Sequence, residues 1–269
     1  MELLGYVGSI LTGVSLGLIG GGGSILIVPI LVYLFHTPPT LATAYSLFIV
    51  GIASSIGSFR YAKQGLVAYK TAFIFATPAF IGVYLSRRFI IPSLPEVILK
   101  VDSFELSKST LIMSVFSVVM LLASFSMLKK RSPNQPTSKY PSTSDNYNVN
   151  LFAAQGFGVG ILTGFVGAGG GFIIIPTLVF LAKLPMKAAI GTSLFIISIN
   201  SLLGFIGDVE TSNDLNWSFL ISIATAAVSG IFIGVYLSKF ITGERLKPAF
   251  GWFVLVMGSY ILVRQMVFH

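Results

Sequence analysis

The chain has 269 residues, 54% of them hydrophobic and only 10% charged, with a net charge of +8 and a mean hydropathy of +0.89. These values exclude an ordinary soluble domain and place the chain among polytopic helical membrane proteins. There is no cysteine, which excludes disulfides and thiolate-held metals. The positive charge is expected in loops flanking membrane segments, so the implied partner is the lipid bilayer and not nucleic acid.

The first apolar stretch, residues 3–19, carries Glu2 where a signal peptide would have a basic leader, and no small-x-small cleavage pattern follows it. It is therefore expected to remain as structure. A glycine run then interrupts the apolar sequence: Gly17-Leu-Ile-Gly-Gly-Gly-Gly-Ser-Ile-Leu-Ile-Val-Pro29. A short apolar piece, 24–35, follows the break. At about 1.5 Å per residue it covers only about 18 Å, well short of a hydrocarbon core of about 30 Å. Long segments come next at 40–59, 71–90 and 109–128.

Residues 129–150 (KKRSPNQPTSKYPSTSDNYNVN) are polar, rich in Pro and Ser, and without helical period, as in a flexible linker. Beyond them the first pattern returns. A segment at 151–166 leads into Gly164-Phe-Val-Gly-Ala-Gly-Gly-Gly-Phe-Ile-Ile-Ile-Pro176, 147 residues after its first copy, and the short piece 171–182 follows. Long segments at 187–207, 217–241 and 247–266 complete the chain. Ser46-Leu47-Phe48 recurs at the same spacing as Ser193-Leu194-Phe195, and Gly82-Val-Tyr-Leu-Ser86 recurs as Gly234-Val-Tyr-Leu-Ser238.

The expected fold is therefore all-α, with eight long transmembrane segments and two short half-helices. It comprises a first repeat (1–128), a cytoplasmic linker (129–150) and a second repeat (151–269). Charge sets the orientation of the repeats. The loop with Arg60, Lys63 and Lys70 corresponds to the one with Asp208, Glu210 and Asp214, a contrast natural to an inverted duplication. With each break a reversal and the second half inverted, twelve Lys and Arg fall inside. Only Arg87, Arg88, Lys100, Lys108 and Arg264 fall outside. The positive-inside rule then puts both termini outside.

A glycine run lets backbone amides converge, and the first amides of the helix behind it lack intrahelical partners at an electropositive end. Two such ends meeting in an inverted pair would make an anion site out of main chain. The expected site comprises Gly20, Gly21, Gly22, Gly23 and Ser24 in one half and Gly167, Gly169, Gly170 and Gly171 in the other. The nearby hydroxyls of Tyr45, Ser46, Thr192 and Ser193 complete it, with Asn200 a weaker addition. No Lys, Arg, Asp, Glu or His falls centrally in a long segment, so dipoles and hydroxyls are expected to supply the attraction. Gly13, Gly17, Gly156, Gly160 and Gly164 follow the i, i+4 spacing of close helix packing. Neither a catalytic constellation nor a metal-binding or cofactor motif stands out, which argues against an intramembrane enzyme.

The repeated glycine runs ending at Pro29 and Pro176 carry a resemblance to a known family. So do Ala44-Tyr45-Ser46 with Gly191-Thr192-Ser193, and Gly65-Leu-Val-Ala-Tyr69 with Leu215-Asn-Trp217. Together they resemble the TauE/SafE-type sulfite and organosulfonate exporters (TSUP permeases) over nearly the whole chain outside the linker. The resemblance implies secondary transport, as an exporter, of a small sulfur-containing anion such as sulfite, thiosulfate or sulfoacetate across a bacterial or archaeal inner membrane. Import of a sulfur oxyanion or small carboxylate is the alternative, with a passive anion pore behind it. Two departures from the family pattern stand out: Ala168 replaces a glycine, and Tyr45 stands where a small residue or Thr is common.

Overall fold

The computed structural model describes residues 2–101, 104–128, 149–209, 215–238, 240 and 243–267. Ten helices account for most of these. They are α1 (Glu2–Ile19), α2 (Gly21–Leu34), α3 (Pro39–Ala62), α4 (Tyr69–Ser93), α5 (Lys108–Leu128), α6 (Val149–Val166), α7 (Gly171–Phe180), α8 (Met186–Val209), α9 (Trp217–Leu237) and α10 (Gly243–Val267). Six of them, α3, α4, α5, α6, α8 and α9, are long and apolar enough to cross a membrane.

Three local features differ from the sequence reading. The short helix α2 begins at Gly21 and not near Ser24, because the glycines wind into a tight 3-10 turn in which Gly23 N–H donates to Gly20 O at 3.3 Å. Between α4 and α5 lies a two-stranded antiparallel hairpin, β1 (Val97–Val101) and β2 (Phe104–Ser107). Pro95 prevents α4 from continuing, and β-branched Val97 and Ile98 favour the extended form that follows. Asp208, expected in a loop, belongs to the last turn of α8. Of the expected linker, residues 129–148 lie outside the described residues, and Val149 and Asn150 already begin α6.

The halves are interleaved. Helix α1 lies along α9 and α6 along α4, so the first helix of each half lies against the fourth of the other. The upstream glycines make these contacts, as their spacing predicts. A Cβ on Gly13 would come 2.0 Å from Ala227 O, and one on Gly160 would come 2.1 Å from Ala79 O. Backbone therefore touches backbone along both seams.

The contacts along each pair give the relative direction of the helices. Tyr6 hydroxyl meets Ser222 Oγ at 3.1 Å, Gly13 meets Ala227 and Gly17 meets Val235, so α1 and α9 run parallel. Phe75 stacks on Phe152 and Gly82 meets Gly160, so α4 and α6 also run parallel. The central pair behaves differently. Gly51 meets Leu202, Gly57 meets Leu194 and Gly191 meets Tyr61, so α3 and its repeat counterpart α8 run antiparallel. The first glycine break reverses the chain: a Cβ on Gly23 would strike Leu16, Gly8 faces Ile30 and Gly5 faces Phe35, which makes α1 and α2 a hairpin.

The repeat is visible even where the residues differ. His36 and Lys183, 147 residues apart, are the two non-glycine residues with positive φ among those described, at 54° and 52°. Each closes its short helix with the same bond, Thr37 N–H to Leu31 O at 2.9 Å and Leu184 N–H to Leu178 O at 3.1 Å. This is a helix C-terminus with a left-handed residue after the last turn.

Candidate functional site

The two glycine breaks meet each other. A Cβ built on Gly21 would lie 2.2 Å from Gly171 Cα, and one built on Gly171 would lie 2.1 Å from Gly21 Cα. Ile197 flanks both, and Gly169 rests between Ile197 and Val50, where an added Cβ would stand 3.0 Å from each. Val50 and Ile197 are near the middle of α3 and α8, so the meeting point is at mid-height of the central helix pair. Gly20 to Ser24 and Gly167 to Gly171 are all buried.

Backbone conformation accounts for the glycines. Gly20 and Gly167 turn the chain with φ of 76° and 75°, a region costly to residues with a Cβ. Gly169 and Gly170 also take positive φ, whereas Ala168, between Gly167 and Gly169, does not. A methyl is tolerated at that one position, which explains the departure from the all-glycine pattern.

The expected hydroxyls are all present, and each bonds to backbone. Ser24 Oγ bridges the halves, donating to Gly21 O at 2.7 Å and reaching Ala168 O. Ser46 Oγ lies 2.9 Å from Thr43 O and also reaches Gly167 O. Ser193, the repeat counterpart of Ser46, donates to Ile190 O at 2.8 Å and stands beside Gly20. Ser24 and Ser46 serve carbonyls that the non-helical breaks would otherwise leave unpaired, whereas Ser193 bonds back to its own helix.

Tyr45 and Thr192 form a second matched pair. Thr192 Oγ1 accepts the N–H of Ala68, the residue that opens α4, at 2.9 Å. Tyr45 hydroxyl accepts the N–H of Asn216, the residue that opens α9, also at 2.9 Å. Each therefore holds the entry of a helix from the opposite half. Tyr45 is 3% exposed and packs on Phe219 with ring centroids 5.9 Å apart, so its length serves to reach the α8–α9 connection. Tyr69 and Trp217 at the same two entries lie across on Phe195 and Phe48.

Two further hydroxyls were not expected. Ser54 and Ser201, a pair 147 residues apart, are fully buried and have no partner among the described residues, and Oδ1 of Asn200, the weaker candidate of the sequence reading, also lacks one among them. A Cβ on Gly169 would stand 3.2 Å from Ser201 Oγ. Continuing the repeat alignment past Ser46 and Ser193 would have found both serines.

The expectation that no full charge lies inside the protein is overturned. Arg87, counted on the outer side at the end of segment 71–90, is 1% exposed within α4. It faces Asp208 of α8, and its neighbour Thr43 is fully buried against Gly167. A π-turn over Ser86–Ile90 shifts the helix register there and turns Arg87 inward; such turns recur at functional sites.

Comparison with known proteins decides the family. The model of the sulfite exporter TauE/SafE family matches residues 6–261. The chain belongs to the TauE/SafE sulfite exporter family. A probable membrane transporter protein of Xylella fastidiosa strain Temecula1 is 29% identical over 95% of this chain and 92% of its own length. Probable membrane transporter protein YunE of Bacillus subtilis is 27% identical over 82% of this chain and 83% of its own. A probable membrane transporter protein of Methanocaldococcus jannaschii, MJ0441, is 27% identical over 98% and 96%. No solved structure matches the chain. This TauE/SafE family member is accordingly a multi-pass membrane transporter and not an enzyme.

Proposed function

We propose that this protein is a secondary transporter that exports a small sulfur-containing anion, such as sulfite, thiosulfate or an organosulfonate like sulfoacetate. Export is across the inner (plasma) membrane, by alternating access. The observation that carries the reading is the mid-height contact of Gly21 with Gly171, in a chain whose family is that of sulfite exporters. Broken helices whose ends meet at a repeat interface are how membrane transporters bind ions without lipid-exposed backbone. The site is formed by Gly20, Gly21, Gly22, Gly23, Gly167, Gly169, Gly170 and Gly171, whose main chain faces the substrate. Ser24, Tyr45, Ser46, Thr192 and Ser193 keep that main chain in place and complete the polar surface.

The two halves are inverted repeats, with both termini outside. The antiparallel course of α3 and α8, and the hairpin reversal at the first break, favour five elements per half with opposite orientation. Alternating access would then be a rocking of one interleaved half against the other.

Thermal unfolding of the purified protein across sulfite, thiosulfate, sulfoacetate, sulfate and acetate should show saturable stabilisation by sulfur anions and none by acetate. Counterflow in oriented proteoliposomes then reads direction. Gly22→Val and Gly169→Val should abolish flux in protein that still inserts; retained flux in both would overturn the site.

A further inference from the structure

The Arg87 guanidinium is fully buried yet only one of its nitrogens is engaged. Its Nη1 lies 3.2 Å from Thr43 Oγ1 and 3.3–3.4 Å from the two carboxylate oxygens of Asp208. Nε and Nη2 are buried without a hydrogen-bond partner among the described residues. A tight Arg–carboxylate pair uses both prongs of the fork at about 2.7–2.9 Å. Here the carboxylate sits at longer range on one nitrogen, and the geometry suited to two parallel bonds is left open. Burying a cation this way is costly unless its remaining donors are served.

The place of the cluster matters as much as its chemistry. Arg87 and Thr43 belong to the first half and Asp208 to the second, so the pair bridges the two bodies. Gly207 of the second half packs against the arginine stem, where an added Cβ would stand in ordinary contact, 3.5 Å from Arg87 Cβ. On its other side Thr43 is the residue against which the second break turns: a Cβ on Gly167 would meet Thr43 Cβ at 2.5 Å. The repeat counterpart of Asp208 is Tyr61, whose hydroxyl donates instead to Gly17 O at 2.9 Å. The two ends of the central helix pair are therefore chemically unlike, one closed by an ion pair and the other by a neutral hydrogen bond.

We infer that the free Nε and Nη2 edge of Arg87 binds two oxygens of the transported sulfur oxyanion, and that Asp208 is the resident counter-ion the anion displaces. This rests on the transport reading above and deepens it by naming the charge that recognises the substrate. A pyramidal or tetrahedral oxyanion presents paired oxygens at the spacing of the guanidinium fork, whereas chloride does not. Transfer of Arg87 from Asp208 to the anion removes the ionic bridge between the halves, so binding loosens the end of the bundle that the pair holds shut.

The test uses the full-length protein in detergent and in proteoliposomes, with sulfite, thiosulfate, sulfoacetate and sulfate as probes. Asp208→Asn should tighten anion binding about tenfold or more, since it removes the competing charge. Arg87→Gln combined with Asp208→Asn leaves no unpaired charge, so it should fold and yet bind anions at least about tenfold more weakly and lose saturable flux. Arg87→Lys keeps the charge without the fork and should fall between wild type and the double variant. Wild-type anion affinity in the double variant overturns the assignment while leaving the transport reading intact. Should the double variant fail to fold, unchanged or weaker binding in Asp208→Asn overturns it equally. Absence of saturable binding of any of these anions to the wild type overturns both readings.

Discussion

Adding one methyl group at the crossing of the breaks should separate them. In Gly171→Ala the new Cβ would lie 2.1 Å from Gly21 Cα, 2.5 Å from Gly21 C and 2.5 Å from Ile197 Cδ1. Ordinary contact between carbons begins near 3.5 Å, so the two main chains would have to part by more than about 1 Å. Ile197 can turn away, but Gly21 cannot: it is backbone, held in its turn by Ser24 and by the seam of α1 along α9. Overfilling a close-packed site costs about 1–3 kcal/mol, and the rigidity on both sides of this one places it at the upper end. A control comes from α6, where Gly158 has nothing within 4 Å of its built Cβ. Gly158→Ala there should gain up to about 1 kcal/mol from helix propensity alone. Thermal unfolding in detergent and anion flux in proteoliposomes, measured side by side, would show Gly171→Ala impaired in both and Gly158→Ala in neither. Wild-type stability and flux in Gly171→Ala would refute the contact on which the site is built.

Three further outcomes follow from the seams and the helix entries. Gly160→Ala, two residues beyond the control, drives a methyl into Ala79 O at 2.1 Å, so it should lower the melting temperature in detergent where Gly158→Ala raises it. Thr192→Val leaves the buried Ala68 N–H without its acceptor, at a cost of about 1–3 kcal/mol. Tyr45→Phe removes the acceptor of the more exposed Asn216 N–H and should cost about 1 kcal/mol by the same thermal assay.

Much of the architecture could be read from spacing because membrane helices announce themselves by length and hydropathy, and a duplicated chain announces itself by its period. The 147-residue offset that linked Gly20 to Gly167 also links backbone features that no residue identity reveals, such as the left-handed His36 and Lys183. The hydroxyls near the breaks were identifiable as polar groups at the right height. Their bonding was not, because a serine that serves its own helix, the opposite break or a ligand looks the same in sequence.

Arg87 and Asp208 escaped for a different reason. Each lies at the end of an apolar run, where basic and acidic residues ordinarily face water. Only the π-turn after Leu85 and the extension of α8 to Val209 bring them inside and together. The hairpin at Val97–Ser107 was likewise invisible to helical periodicity, being too short and too mixed to carry a signal of its own.

The inverted arrangement underlies the whole account, and the absence of cysteine makes its test simple. Gln64 in the connection before α4 and Ser218 at the start of α9 lie at the entries of the fourth helix of each repeat, and both are exposed. Single variants Gln64→Cys and Ser218→Cys, in oriented membranes, can be challenged with a membrane-impermeant thiol reagent from each side. The account predicts labelling from opposite faces, Gln64→Cys from the inside and Ser218→Cys from the outside. Labelling of both from the same face would contradict it.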